Sequence, residues 1–342
     1  MSNRVLVTGG TGFIGGNLTR KLVKKDYNVS ALVRPTSNVE NLNSLGVELC
    51  YGDLSDTQSL KKATKDVEIV YHCAAKVSDW GKYEDFYEVN VEGTRLLLDS
   101  CLENKVKRFI YLSTTDTVWK YEHHINIDED YPYPVKYKHP YCETKALSEK
   151  LLLNLINNDE IDGGILRPCW VWGHGDNVVL PRLLELANDD KLFLVGKGDN
   201  KISICYVDNL TDAMIAMGEI EKLKSNVYFV HDGYDITLYE FLKGVLNELQ
   251  IDWTPKSIPY SIAYGCAYLA ELYAKYIINN CEPMLTRYVV SVLNRNLNYK
   301  ISRACNELNY APNLSFNDGL LKLRLWIDSI GGVSALLKSK LN

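Results

Sequence analysis

Cysteine pairs at metal-ligand or redox spacing are missing from this chain of 342 residues. Its nine cysteines (Cys50, Cys73, Cys101, Cys142, Cys169, Cys205, Cys266, Cys281 and Cys305) are odd in number and scattered, with no CxxC. That excludes a disulfide framework or a thiolate zinc site and predicts reduced, mostly buried thiols of a cytoplasmic protein. A long hydrophobic run is missing too. The least polar stretch, Ile258 to Ala270, is stopped by Glu271, too short to cross a bilayer as a helix. No basic segment with an apolar core precedes the strand-like run Arg4 to Thr8, so export is not expected. A net charge of -5 leaves no polycationic face for phosphate backbones, and nucleic acid is excluded as a partner. No histidine has metal-ligand spacing; His123 and His124 read as loop residues and His174 as a weak substrate contact, so no metal is expected. Repeats and low-complexity tracts are absent.

What remains is ordinary globular composition, 46% hydrophobic and 24% charged, long enough for an α/β domain with a second lobe. Apolar β-branched runs alternate with helical patterns: RVLVTG, a helix from about Gly12 to Lys25, NVSALVR, GVELCYGD, a helix after Asp56, EIVYHCAA, a long helix near Tyr83 to Asn104, and RFIYLST. A further helix from about Pro140 to Asn157 leads into GGILRP. This rhythm predicts a Rossmann-type, doubly wound parallel sheet. It spans 1–173, with sheet strands returning around 201–235; 174–200 and 236–342 form a smaller, mainly helical substrate lobe.

The strand RVLVT runs directly into Gly9-Gly10-Thr11-Gly12-Phe13-Ile14-Gly15 and then a helix. Glycines at that spacing let the backbone turn tightly and approach a pyrophosphate, with the helix N-terminus aimed at its charge. The second strand ends at Arg34, where an NAD-preferring site usually carries an acid for the ribose hydroxyls. Arg34 is either a partner for a 2′-phosphate, which favours NADP(H) over NAD(H), or an ordinary surface arginine. Asp53 is positioned to accept from the adenine amino group, with Leu54 offering its backbone N–H; the alternative is a cap for the next helix. Ala74 and Ala75 are small enough for ribose and diphosphate to lie against the backbone.

Tyr141 and Lys145, in YCETK, stand one helical turn apart on one face. An ammonium beside a phenol favours the phenolate and makes Tyr141 an acid or base near neutral pH. Ser113, Thr114 and Thr115 end the fifth strand at the carboxyl edge of the sheet, where one hydroxyl should bind the reacting oxygen. Asn90 lies on the preceding long helix, where it orders a relay water, fixes a backbone kink or simply packs.

In order along the first half, TGGTGFIG, GDL, HCAA, NVEGT, STTDTVW, YCETK and LRPCWVWG resemble the motif series of the extended short-chain dehydrogenases/reductases. The resemblance implies hydride transfer at nicotinamide C4 with a Thr115, Tyr141, Lys145 triad. Thr115 is chosen by counting back four from Trp119, which leaves Ser113 and Thr114 one or two residues out of register. Asn90 joins the catalytic set, and Pro168 and Val171 join the cofactor-binding set.

Sugar-nucleotide dehydratases in this family read TDE where this chain has Thr115-Asp116-Thr117, so elimination lacks its second carboxylate and Asp116 is expected in solvent. The segments from Gly173 through Leu184, Val195 to Asn200 and Tyr206 to Asn209 are similar to the 3β-hydroxysteroid and 4-carboxysterol dehydrogenase branch; ALVRPTSN is similar to dihydroflavonol-reductase-like and epimerase-like members. Tyr260, Tyr264, Tyr268, Tyr273 and Tyr276 recur on one helix, read as core, pocket wall, or a peripheral membrane or homodimer surface. Trp80, Trp170 and Trp172 are candidates to line a pocket. The expectation is an oxidoreductase acting on a hydrophobic hydroxy or keto small-molecule substrate. The alternatives are an NDP-sugar epimerase with tightly bound NAD, or a non-catalytic dinucleotide-binding regulator.

Overall fold

The structure is a computed structural model that describes residues 4–277 and 282–339; Cys281 lies outside them. Seven parallel strands form the central sheet. β1 (Arg4–Thr8), β2 (Asn28–Val33), β3 (Glu48–Tyr51), β4 (Ile69–His72) and β5 (Arg108–Leu112) are followed by Asp162–Pro168 and Val227–Val230. From one edge the order is Val227–Val230, Asp162–Pro168, β5, β4, β1, β2, β3. Strand order reverses between β1 and β4, which opens a crevice at their carboxyl ends.

The β-branched runs are explained by burial on both faces. Val5 and Val7 pack with Leu18, Leu22 and Met214 under one helical layer, whereas Leu6 packs with Leu60, Leu97 and Leu152 under the other. Helix α1 (Phe13–Lys24) and the helix Val207–Glu219 cover the first face, and Thr57–Ala63, Gly93–Glu103 and Pro140–Asn157 the second. The long helix expected near Tyr83 to Asn104 is broken: Tyr83–Phe86 is α-helical, Tyr87–Glu92 is a π-turn, and Gly93–Glu103 is α-helical again.

The returning stretch 201–235 divides. Val227–Val230 joins the central sheet, but Lys201–Tyr206 forms a second one with Asp235–Thr237, Leu297–Tyr299, His124–Ile127 and Trp170–Trp172. The expectation that His124 is a loop residue is corrected here. His124 is fully buried in a strand, its Nδ1 3.2 Å from Tyr299 Oη, because it pairs with Leu297 and Ile127 with Tyr299.

In the helix Tyr260–Tyr276 the inward face is Ala263, Ala267, Glu271 and Ala274, while Tyr268, Leu269, Tyr273 and Tyr276 face solvent. Trp172, a pocket candidate from sequence, is buried in the lobe's core against Tyr206, Phe241 and Phe316. The eight described cysteines are free thiols.

Candidate active site

The glycine loop turns at Gly9, whose φ of +71° suits glycine, and closes with Gly12 N donating to Gly9 O at 3.0 Å. A Cβ on Gly15 would lie 2.2 Å from Gly9 O, so only glycine lets α1 begin this close to the loop. Gly12 is the N-cap and has no side chain to occupy the first amides. Phe13 and Ile14 open the helix and root it in the lobe's core and the sheet's core respectively. Asn17 Nδ2 donates to Phe13 O and His174 O, tying this end of α1 to the segment after Trp172. The backbone at Ala74 adjoins Gly9, where a Cβ would meet Ala74 N at 2.8 Å. Ala75 follows, half-buried. Glycine cradle, uncapped helix start and small residues together fit a dinucleotide pyrophosphate.

Arg34 is exposed just past β2, near enough to Asp53 to help hold its carboxyl below the ordinary value, although hydrogen bonds from Ser55 do more. Asp53 is not the helix cap: Asp56 takes that role, accepting from Gln58 N. Leu54 is buried beneath it. Pro168 pairs with Val230 at the end of its strand, and Val171, half-buried, pairs with Cys205 in the second sheet.

A hydrogen-bond chain that the sequence reading missed runs through buried His72. Ala74 N donates to Thr8 Oγ1, and the Thr8 hydroxyl donates to His72 Nδ1 at 2.7 Å, because the Thr94 proton goes to Asn90 O and leaves Nε2 as the protonated nitrogen. His72 Nε2 then carries the proton and donates to Thr94 Oγ1, which donates to Asn90 O. Burial, aided by the Lys145 charge, holds the His72 imidazole down to about 3, so it is neutral.

Asn90 sits in the π-turn with its amide fully engaged. Its Oδ1 accepts from Lys76 N at 2.7 Å, and its Nδ2 donates to Lys76 O and Thr144 Oγ1. Of the sequence alternatives, this is the geometry of a residue that fixes the backbone kink and ties it to the helix of Tyr141.

Tyr141 and Lys145 project from the first turns of Pro140–Asn157. Lys145 Nζ donates to Leu112 O at 2.7 Å and lies 4.0 Å from the centroid of the Tyr111 ring. Burial pulls its ammonium down to about 7, against Glu149 and Cys73, which favour the charge.

Tyr141 departs from expectation. Burial first, then the charge of Asp116 and the neighbouring Tyr111 and Cys142, push its phenol well above the ordinary value; the Thr114 hydroxyl opposes them. The expected lowering by Lys145 does not prevail, because burial dominates.

Thr114 and Thr115 stand side by side at the end of β5. Thr114 has extended backbone and caps the 3-10 turn Thr115–Val118, its Oγ1 accepting from Asp116 N at 3.2 Å. The Thr114 hydroxyl acts to lower the Tyr141 phenol, and the Thr115 hydroxyl does the same for Tyr299. Ser113 is buried with its hydroxyl unpaired.

Asp116 is not in solvent. It is half-buried, with Tyr288 Oη donating to its Oδ2 at 2.7 Å. Tyr288 stacks on His139 (4.2 Å between centroids) and meets Trp119 edge-on. Thr117 is wholly buried, its single hydroxyl proton shared between Thr114 O at 3.0 Å and Glu149 Oε1 at 3.3 Å. Glu149 forms a buried ion pair with Arg167 at 2.6 Å, and the Tyr133 hydroxyl closes the cluster. His174 contacts Tyr206 Oη through Nδ1.

Residues 6–260 match the model of the 3-beta hydroxysteroid dehydrogenase/isomerase family. The 2-alkyl-3-oxoalkanoate reductase of Stenotrophomonas maltophilia is 31% identical over 94% of this chain and 98% of its own length. The 3beta-hydroxysteroid-dehydrogenase/decarboxylase isoform 1 of Arabidopsis thaliana is 30% identical over 96% of this chain and 80% of its own. A solved UDP-glucuronic acid 4-epimerase from Bacillus cereus, in complex with UDP-glucuronic acid and NAD, superposes with a TM-score of 0.73 at 24% identity, covering 95% and 99% of the two chains. That likeness shows the fold alone. Among the described residues no helix is long and apolar enough to cross a membrane. This chain belongs to the 3-beta hydroxysteroid dehydrogenase/isomerase family, and it is an NAD(P)-dependent oxidoreductase of the extended short-chain dehydrogenase/reductase type.

Proposed function

We propose that this enzyme is an NADP(H)-preferring reductase of a ketone on a hydrophobic small molecule, a 3-oxo acid or a sterol-like ring, with Tyr141 as the proton donor. The observation that carries this reading is the placing of Tyr141 and Lys145 one helical turn apart beside the end of β5, where Lys145 Nζ donates to Leu112 O at 2.7 Å. When bound, the nicotinamide supplies the hydride to the carbonyl carbon. The Thr114 hydroxyl and the Tyr141 phenol hold the carbonyl oxygen, and Tyr141 gives its proton to that oxygen as the charge develops. Burial keeps the phenol protonated, the form that a proton donor to the carbonyl oxygen needs. Lys145 grips the nicotinamide ribose and offers a proton to the phenolate left behind; an ammonium held near 7 gives up a proton readily. Asn90 acts by fixing the turn at Lys76 against the catalytic helix.

The glycine loop from Gly9 to Gly15, with Ala74 and Ala75, holds the pyrophosphate; Asp53 and Leu54 take the adenine; Arg34 binds the 2′-phosphate; Pro168 and Val171 bound the nicotinamide end. Residues 174–200 and 236–342 form the substrate lobe. The names of the relatives, an oxoalkanoate reductase and a sterol dehydrogenase, support the substrate class. Thr117, turned into the core, argues against elimination.

The test is turnover with NADPH and NADH against 3-oxo acids, 3-oxosteroids and UDP-sugars, with Tyr141→Phe as control. Ketone reduction that releases oxidised cofactor, lost in Tyr141→Phe while dinucleotide binding persists, is the expected result. Turnover of UDP-sugars alone, with the dinucleotide retained, would replace this reading by an epimerase.

A further inference from the structure

Beside the catalytic loop lies an open cleft of about 400 Å³, lined in part by Trp119, Lys120, Tyr121, Tyr133, Lys136 and Lys138. One wall is the turn that follows Thr115–Val118. The other is Pro132-Tyr133-Pro134, whose prolines fix the backbone without help from a sheet or helix. Three lining residues are lysines and none is acidic. A fourth ammonium, Lys150, approaches the Tyr133 ring at 5.0 Å from the catalytic helix.

Among the described residues, none of these four lysines has an ion pair. Of the acids around the cleft, Glu149 is paired with Arg167, Asp128 with Lys300, and Glu129 and Asp130 with Arg303, while Glu122 accepts from Tyr131 Oη at 2.7 Å. In a chain of net charge -5, such a gathering of unpaired cations runs against the average.

Two of the lysine heads are held in place by rings. Lys120 Nζ lies 4.1 Å from the Tyr131 centroid and Lys138 Nζ 4.8 Å from that of Tyr121. A cation over an aromatic face is positioned while its N–H donors stay free for another acceptor. Tyr121 stacks on Trp119 (4.2 Å, 18°) from a left-handed backbone, φ +66°. A tyrosine persists in that conformation only where its surroundings impose it, and such residues gather at ligand sites. Val135 stands fully exposed on the rim.

We propose that this cleft binds an amphipathic anion, with a carboxylate or phosphate seated among Lys120, Lys136 and Lys138 and an apolar body along Tyr121, Tyr133 and Val135. The site is distinct from the dinucleotide crevice and independent of the substrate proposed above. Its floor, Trp119, touches Tyr288, so an occupant sits one ring away from Asp116.

The test is calorimetric titration of the full chain with decanoate, decanoyl-coenzyme A and decanol, in saturating NADPH or NADH, whichever binds, so that the dinucleotide crevice is closed to coenzyme A. Saturable binding of an anionic probe is expected, weaker at high salt, and reduced about tenfold or more in Lys136→Glu/Lys138→Glu, since removing one charge-assisted hydrogen bond costs roughly that factor. Decanoate binding assigns a carboxylate ligand, and binding of decanoyl-coenzyme A alone assigns a phosphate. Unchanged dinucleotide affinity shows the variant is folded; if it is not, Lys136→Met/Lys138→Met repeats the measurement without charge reversal. No saturable binding, decanol binding as tightly as decanoate, or anion affinity unchanged in the lysine variants would each overturn the proposal.

Discussion

Tyr288 and Asp116 stand 172 residues apart in sequence, yet the Tyr288 hydroxyl donates to the Asp116 carboxylate at 2.7 Å, beside the phenol of Tyr141. The bond runs from the C-terminal lobe to the loop at the end of β5. It holds a negative charge where it opposes formation of the Tyr141 phenolate.

Replacing that charge predicts a shift of defined sign. Asp116 raises the Tyr141 pKa, so Asp116→Asn lowers it, with Lys145, Tyr111, Cys142, His139 and Asp79 left in place. Alcohol oxidation needs the phenolate, so its rising limb moves to lower pH. Reduction needs the phenol, so its falling limb moves the same way. The pH profile of kcat/KM in both directions checks this, and unmoved limbs would remove Asp116 from any role at Tyr141.

Thr114 and Thr115 make opposite predictions although they are neighbours. Thr114→Val removes the hydroxyl that acts on Tyr141 and should lower kcat by about a hundredfold, the usual loss when one donor to a reacting oxygen is deleted. Thr115→Val, facing Tyr299, should leave kcat within a few fold. Steady-state kinetics of the pair decide the register, and the reverse ranking would restore Thr115.

That pair marks where the sequence stops being informative. The glycine loop, YxxxK and the strand rhythm are local: each residue's role follows from neighbours a turn or a strand away. The threonine register depends on whether Thr114 or Thr115 starts the 3-10 turn, which a count from Trp119 cannot settle. Tyr288 and His124 owe their burial to partners from distant segments, with no local pattern to betray them. The tyrosines of 260–276 left three readings open for a related reason. Their spacing is helical, but the alanines, having no bulk, pack against the protein, so Tyr260 and Tyr264 are half-buried while Tyr268, Tyr273 and Tyr276 stand outside.

The buried pair Glu149–Arg167 predicts a stability cost. Both side chains are almost wholly buried, so Arg167→Met leaves a carboxylate without its partner and should cost about 3–5 kcal/mol. Urea unfolding measures it. A loss below about 1 kcal/mol, the worth of an exposed pair, would mean that water reaches the site.

His72 predicts how stability depends on pH. Its folded pKa, about 3, lies below the ordinary 6.5, so the unfolded chain takes up the proton first. The contribution is fully present above 6.5 and is lost as pH falls toward 3. By pH 5 the loss from His72 is about 2 kcal/mol, at 1.36 kcal/mol per unit. Urea unfolding at pH 7 and pH 5 should show this difference between the native chain and His72→Asn, whose stability should fall less. Parallel losses would assign the acid sensitivity to other groups, such as His124, which is also held low.

Arg34 carries the proposed preference for NADP(H). Standing exposed beyond β2 and beside Asp53, it has room to pair with a 2′-phosphate and no acidic residue of its own to recognise ribose hydroxyls. Arg34→Ala should therefore weaken NADPH about tenfold or more, the value of a charge-assisted hydrogen bond, and leave NADH unchanged. Arg34→Asp should go further, since a carboxylate repels the phosphate yet accepts from the ribose, and should reverse the preference. Fluorescence titration of both dinucleotides against the three proteins reads this directly. Equal weakening of NADPH and NADH by Arg34→Ala would make Arg34 a support for the adenine or for the fold of its loop, and the NADP(H) preference would have to come from elsewhere in the chain.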